Sequence, residues 1–245
     1  MNPAVLKELR ARIAAVGRGG MRRPAAKVLP LGAPEIDGVL PGGGLPLACI
    51  HEVVGADGGA AALGFVLALL RRFGAASRPL PVLWCLPRSE LYGPGLAAFG
   101  FDPRRLVLAR VRGKAELLWA MEEGLRSPAL AAVVAETGPI GAKAQRRLQL
   151  AAETGGVTGF LLREAWGGKE GAFLATSWRL AGAPGGENGA VRWRAELVRC
   201  RGGNTGSWLM EWNHETGDLA VAAAAFDRPD RARPQGERDL ALRGA

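Results

Sequence analysis

A run that reads as a buried strand, Cys49-Ile50-His51-Glu52-Val53-Val54, leads directly into the turn Gly55-Ala56-Asp57-Gly58-Gly59. A helix then opens at Ala60 and carries Leu63, Phe65, Val66, Leu67, Leu69 and Leu70. A strand that stops in glycines and restarts as a helix has the layout of a phosphate-binding loop, where backbone N–H groups and the positive end of the helix face an anion. A loop of that kind beginning at Gly55 needs Gly, Lys and Ser or Thr at its last three positions. This chain has Ala60, Ala61 and Ala62 there. The lysine on the terminal phosphates and the hydroxyl on magnesium are charge-assisted contacts worth roughly 1.5–3 kcal/mol each. A whole micromolar site amounts to about 8 kcal/mol. Losing both contacts moves affinity toward the millimolar range or beyond, so the loop reads as a scaffold without its ligand. A generic strand-turn-helix is the alternative.

Downstream, apolar runs suited to a sheet covered on both faces alternate with helices. Strands are predicted over 81–86, 106–111, 130–135 and 157–162. Helices are predicted over 92–99, where Gly93, Pro94 and Gly95 shorten the element, over 114–126, ending before Pro128, and over 140–153. From Ala172 the period changes to two. Residues 173–180, 191–200 and 208–212 alternate like antiparallel strands, with turns at Pro184-Gly185-Gly186 and Arg201-Gly202-Gly203-Asn204. Four of the seven tryptophans fall in this stretch, interleaved with arginines. That pattern fits an interaction face, or, as the favoured reading, an edge sheet with one solvated side. The fold class is α/β, a mostly parallel sheet flanked by helices with an antiparallel β extension toward the C-terminus.

Three segments are expected. Residues 1–20 form an amphipathic helix with its linker, because Val5, Leu6, Leu9, Ile13 and Val16 share one stripe and Gly17-Arg18-Gly19-Gly20 follows. Residues 21–225 form the core. Residues 226–245, rich in Asp, Arg, Pro and Gly, read as a disordered tail.

The 245 residues suit one α/β domain with short extensions. No apolar run approaches the roughly 18 residues of a membrane span, and Met1-Asn2-Pro3 followed by a charged helix carries no secretory signal. The expected location is cytoplasmic, with no membrane partner. Cys49, Cys85 and Cys200 share no metal-ligand spacing, and two histidines are too few for a zinc site. His51 is either a satisfied core histidine or an orienting group. The formal charge of +9 raises the prospect of nucleic acid as a partner. An arginine bias of this kind also follows from a GC-rich genome, so the charge alone decides little.

The segment Leu31-Gly32, Ile36-Asp37, Leu40, Gly43-Gly44-Leu45-Pro46 and Ile50-His51-Glu52, ending at Gly55, closely resembles the entrance to the RecA recombinase core, position by position. With His51 and the emptied loop, the pattern looks most like the ImuA family, the RecA-like, SulA-related accessory proteins of bacterial mutasome operons. The resemblance spans about residues 28–222 and is specific at its front end. It implies a RecA-like fold and a non-enzymatic role, that of a degenerate P-loop pseudo-ATPase without a cofactor. Such a protein would join an ImuB-like Y-family polymerase homologue, and through it an error-prone replicative-type polymerase, in SOS-response translesion synthesis.

The family's catalytic glutamate would fall near Arg88, with Glu90 two residues on. Its Walker B acid would fall at Ala135 or, one residue later, Glu136. Glu136 without the lysine and hydroxyl does not suffice for ATP hydrolysis, which needs the ion held and the phosphates oriented together, so no catalytic residue is assigned. The resemblance further assigns Leu6, Leu9 and Ile13 to partner docking or self-association, with folding back onto the core as the alternative. It places Arg163, Trp166 and Lys169 in a loop that would contact DNA, with a plain surface turn as the alternative. A SulA-like division inhibitor binding FtsZ and a non-catalytic DNA-binding protein stand as the other functional readings.

Overall fold

The computed structural model describes residues 27–56, 58–73, 79–87, 91–164, 171–186 and 189–224. The expected N-terminal helix with Leu6, Leu9 and Ile13, the tail 226–245, and Arg88, Glu90, Trp166 and Lys169 lie outside the described residues. In chain order the elements are β1 (Val28–Leu29), α1 (Pro34–Asp37), β2 (Leu45–Pro46), β3 (Ile50–Gly55), α2 (Ala60–Arg72), β4 (Val82–Leu86) and α3 (Gly93–Ala98). A 3-10 turn (Pro103–Arg105) precedes β5 (Leu106–Arg110), α4 (Lys114–Arg126), β6 (Ala132–Glu136), α5 (Ala142–Gly155) and β7 (Thr158–Arg163). Four strands close the chain: β8 (Thr176–Ala183), β9 (Val191–Cys200), β10 (Gly206–Asn213) and β11 (Asp218–Ala224).

One nine-stranded sheet runs β11-β10-β9-β8-β3-β7-β6-β4-β5. The pairs from β5 to β8 are parallel, and those from β8 to β11 are antiparallel. The strand that precedes the glycine turn is central, and all six of its residues are buried. Alternate residues feed two apolar layers, as a pleated strand requires. Val53, Trp84, Val134 and Phe160 face α2. Ile50, Cys85, Val133 and Leu161 face Leu117, Met121 and Leu125 of α4 and Leu148, Ala151 and Ala152 of α5.

The expected parallel core is therefore present with its helices. At the back of the chain two details differ from expectation. The first antiparallel strand begins at Thr176 rather than Phe173, because Ala172, Phe173 and Leu174 make a turn first. The second runs over Val191–Cys200 as expected. A fourth strand, β11, was not expected; its Ala-rich sequence has little β-propensity. It forms because the preceding turn is tied down. Asn213 accepts hydrogen bonds from the Glu215 and Thr216 amides, and Gly217 takes φ 70°. Along these strands Trp178, Trp193, Trp208 and Trp212 are all buried against α2, with the arginines on the opposite face.

The Leu31-Gly32 and Asp37 motif has a local cause. The Asp37 carboxylate accepts from the Leu31 and Gly32 amides at 2.7 and 3.0 Å, which folds the entry segment over the start of β3. At the other end of α2, Arg71 and Arg72 sit favourably against the helix dipole. Arg71 also donates to the Gly217 and Thr216 carbonyls and lies 5.9 Å from the Trp212 ring centroid. Among the described residues no helix is long and apolar enough to cross a membrane.

Candidate functional site

β3 ends at Gly55, and the loop closes on itself so tightly that a Cβ on Gly55 would meet Gly59 Cα at 2.5 Å. Gly58 and Gly59 adopt φ of 77° and 89°, the left-handed region that favours glycine, and α2 starts at the next residue. The backbone thus has the strand, tight turn and helix N-terminus of a phosphate loop. Its side chains do not. Ala61 and Ala62 are 5% and 0% exposed and belong to the apolar layer against the sheet, while Ala60 faces the solvent. The lysine and hydroxyl positions of the pattern are therefore methyl groups packed into the core.

The loop borders an open cleft of about 820 Å³, lined by Gly58, Gly59, Ala60 and Leu63 on the helix side and by Pro87, the 136–139 segment and the 162–164 segment opposite. Of the two registers for the Walker B acid, only one reaches this cleft. Ala135 is fully buried, whereas Glu136 ends β6 at the cleft wall. The Trp84 indole N–H donates to Glu136 Oε1 at 2.8 Å and orients the carboxylate. Glu164 is a second acid on the lining. Its Cγ lies 3.4 Å from where a Cβ on Gly59 would stand, so its side chain rests against the turn that would otherwise receive phosphate.

Arg163 requires a correction. It was expected in a DNA-contacting loop, but it is the last residue of β7 and only 8% exposed. Its Nη1 donates to Glu52 Oε1 at 2.6 Å across the sheet. The cross-strand carboxylate pulls the guanidinium into the fold rather than toward a ligand. Of the expected trio, then, Arg163 is a cleft-wall residue held by an ion pair, and Trp166 and Lys169 fall outside the described residues.

The sequence reading assigned no role to Glu52, Trp84 or Glu164. A carboxylate at the one acidic position of an otherwise apolar strand was a usable signal for Glu52. Nothing local marked the other two, whose roles depend on strand register. His51 resolves as a satisfied core residue. It is fully buried, with Nδ1 2.8 Å from Thr176 Oγ1 and Nε2 2.9 Å from the Pro46 carbonyl, and burial lowers its pKa to about 4.

Chemically, the cleft offers backbone amides at a helix N-terminus facing two carboxylates, and its one described guanidinium is already paired to Glu52. That arrangement, on this sheet, defines the class: a RecA-like α/β protein with an altered nucleotide loop. The KaiC-like protein PH0186 of Pyrococcus horikoshii OT3 shares the fold, with a TM-score of 0.56 at 15% identity over 81% of this chain and 100% of that one. No family model matches the sequence. Protein ImuA of Caulobacter vibrioides strain NA1000 / CB15N is 41% identical over 215 residues, covering 78% of this chain and 86% of the relative; the protein of the same name from strain ATCC 19089 / CIP 103742 / CB 15 matches equally. The chain belongs to the ImuA family.

Proposed function

We infer that this chain is a non-catalytic accessory protein of DNA-damage-induced mutagenesis. It acts as an adaptor for an ImuB-type, polymerase-like partner during translesion synthesis. The observation that carries the reading is the 41% identity to Protein ImuA over most of both chains, joined to a nucleotide loop whose last three positions are alanines. The acid-lined cleft supports the absence of turnover, since Glu136 and Glu164 would repel a triphosphate and no loop lysine offsets them.

The test has two arms. Purified protein is assayed for ATP hydrolysis alone and with single-stranded DNA; turnover at an ordinary enzyme rate that is lost in Glu136→Gln would overturn the non-catalytic half. In parallel, a strain lacking the gene is complemented and scored for ultraviolet-induced mutation, and the tagged chain is used to recover its partners. Restored mutagenesis with recovery of a polymerase-like protein supports the adaptor. Filamentous growth on overexpression, with recovery of a tubulin-like division protein, would replace it by the division-inhibitor reading.

A further inference from the structure

Many arginines of the described residues are engaged. Arg72, Arg126, Arg147, Arg163, Arg179 and Arg192 stand within ion-pair distance of a carboxylate, and Arg71, Arg105 and Arg199 donate to backbone carbonyls. Arg110 and Arg112 are exposed, and neither guanidinium has an ion-pair or hydrogen-bond partner among the described residues. Their backbone is nonetheless well fixed. Arg110 ends β5 in register with Leu86. Val111, 4% exposed, donates its N–H to the Leu86 carbonyl, and the Arg112 amide donates to Glu116 Oε2 at 2.8 Å. With Val111 turned into the core, the i and i+2 neighbours on this extended segment turn outward together. They border a hollow of about 470 Å³ whose described lining is Pro87, Arg110, Val111 and Arg112.

Lys114, two residues on, begins α4, and its Nζ donates to the Pro139 carbonyl at 2.6 Å. Among the described residues the local charge is thus three cations against the Glu116 carboxylate, which is turned onto the Arg112 amide. Two adjacent guanidiniums on ordered backbone, with no described acid paired to them, match the forked recognition of phosphate oxygens.

We propose that this hollow at the end of β5 is a phosphate-binding site that holds the sugar-phosphate backbone of nucleic acid. A nucleic-acid backbone fits the lining better than an acidic protein segment does. A protein segment gains its affinity from buried apolar anchors, and of the hollow's described lining only Pro87 and the mostly buried Val111 could receive one. Phosphate contacts need no such anchor, because counterion release drives them, and the chain's formal charge of +9 steers the approach. The site is separate from the 163–171 loop expected to contact DNA, and it does not depend on the adaptor reading.

The test is fluorescence anisotropy of the full-length chain, without partner proteins, on a labelled 30-nucleotide oligo-dT across a salt series. Arg110→Ala/Arg112→Ala is compared with Lys27→Ala/Arg104→Ala, which removes two exposed cations elsewhere on the described surface. At about 50 mM salt the first variant is expected to bind roughly 10- to 100-fold more weakly, with its log K against log salt slope flatter by about 1.4, or 0.7 per lost contact. The second is expected to stay within about threefold of wild type. Arg110→Lys/Arg112→Lys should keep most of the slope, since the charges remain. Equal losses in the two alanine variants would reduce the effect to net charge and overturn the site, as would a wild-type chain that binds no oligonucleotide at low salt. Displacement of the oligonucleotide by polyglutamate at equal charge concentration, with the same arginine dependence, would make this an acidic-protein surface instead.

Discussion

His51 shows at the residue scale why a histidine can sit inside a strand. The Pro46 carbonyl can only accept, so Nε2 carries the proton and Nδ1 accepts from the Thr176 hydroxyl. Thr176 Oγ1 in turn accepts from the Trp178 indole at 3.0 Å, so every polar atom of the trio is satisfied with the ring neutral. A second ring proton would face the Thr176 hydroxyl proton and lack solvent, and desolvation lowers the pKa from 6.5 to about 4. Between those two values the unfolded chain binds a proton that the folded chain does not. His51 therefore favours folding fully above pH 6.5, and this contribution is lost as pH falls toward 4, by about 3 kcal/mol across the window. Urea unfolding of wild type and His51→Gln at pH 7.5 and 4.5 should show the gap between them narrowing at the lower pH. An unchanged gap would mean that the buried ring takes up its proton as readily as the ring of the unfolded chain. The Glu52 and Arg163 pair, both under 10% exposed, gives a second expectation. Glu52→Gln removes the carboxylate paired with a buried guanidinium and should cost about 3–5 kcal/mol in the same assay.

At the scale of elements, α2 is the piece on which both halves of the sheet depend. Its Phe65 ring lies 5.2 Å from Trp178 and 6.4 Å from Trp193, and Phe99 continues the chain of rings to Trp193 at 6.0 Å and Trp212 at 5.9 Å. Gly64 lets the helix approach this closely, since a Cβ there would meet both Phe99 Cζ and Trp193 Cζ2 at 2.9 Å. Gly64→Val should therefore push α2 off β9 and destabilise the protein by about 1–3 kcal/mol as an overpacked contact. Trp193→Ala should cost more, about 3–5 kcal/mol, by emptying the same contact. Guanidinium midpoints for the two variants check the order. A neutral Gly64→Val would show that the helix has room to shift. None of this was visible in the helix's own residues. The partner that makes glycine necessary lies far along the chain.

For the whole molecule, what could be read in advance follows from how local each cause is. The βα units could be read because an apolar strand, a glycine turn and a helix each carry their cause within a few residues. The motif Leu31-Gly32 to Asp37 was legible for the same reason. The altered loop was visible too, as three alanines in a fixed pattern. The acids around it were only partly visible: Glu136 as one of two registers, Glu164 not at all, because a cleft assembles from strand ends whose alignment no local pattern encodes. The antiparallel extension was legible by its period of two but not in its fourth strand, which rests on the turn at Asn213 and on pairing with β10. The extension is also not an independent unit. β8 pairs in parallel with β3, and the tryptophans of β8, β9 and β10 share one apolar layer with α2 and the parallel strands. Unfolding should accordingly be a single transition. Of the five tryptophans buried among the described residues, four lie in the extension and Trp84 is the fifth, so indole fluorescence reports mainly on that half, while far-UV circular dichroism reports on the helices of the other. Guanidinium curves from the two signals should superimpose, with the same midpoint and slope. If fluorescence changed first, the extension would be melting away from an intact parallel core, and the shared layer around α2 would not be what holds the two halves together.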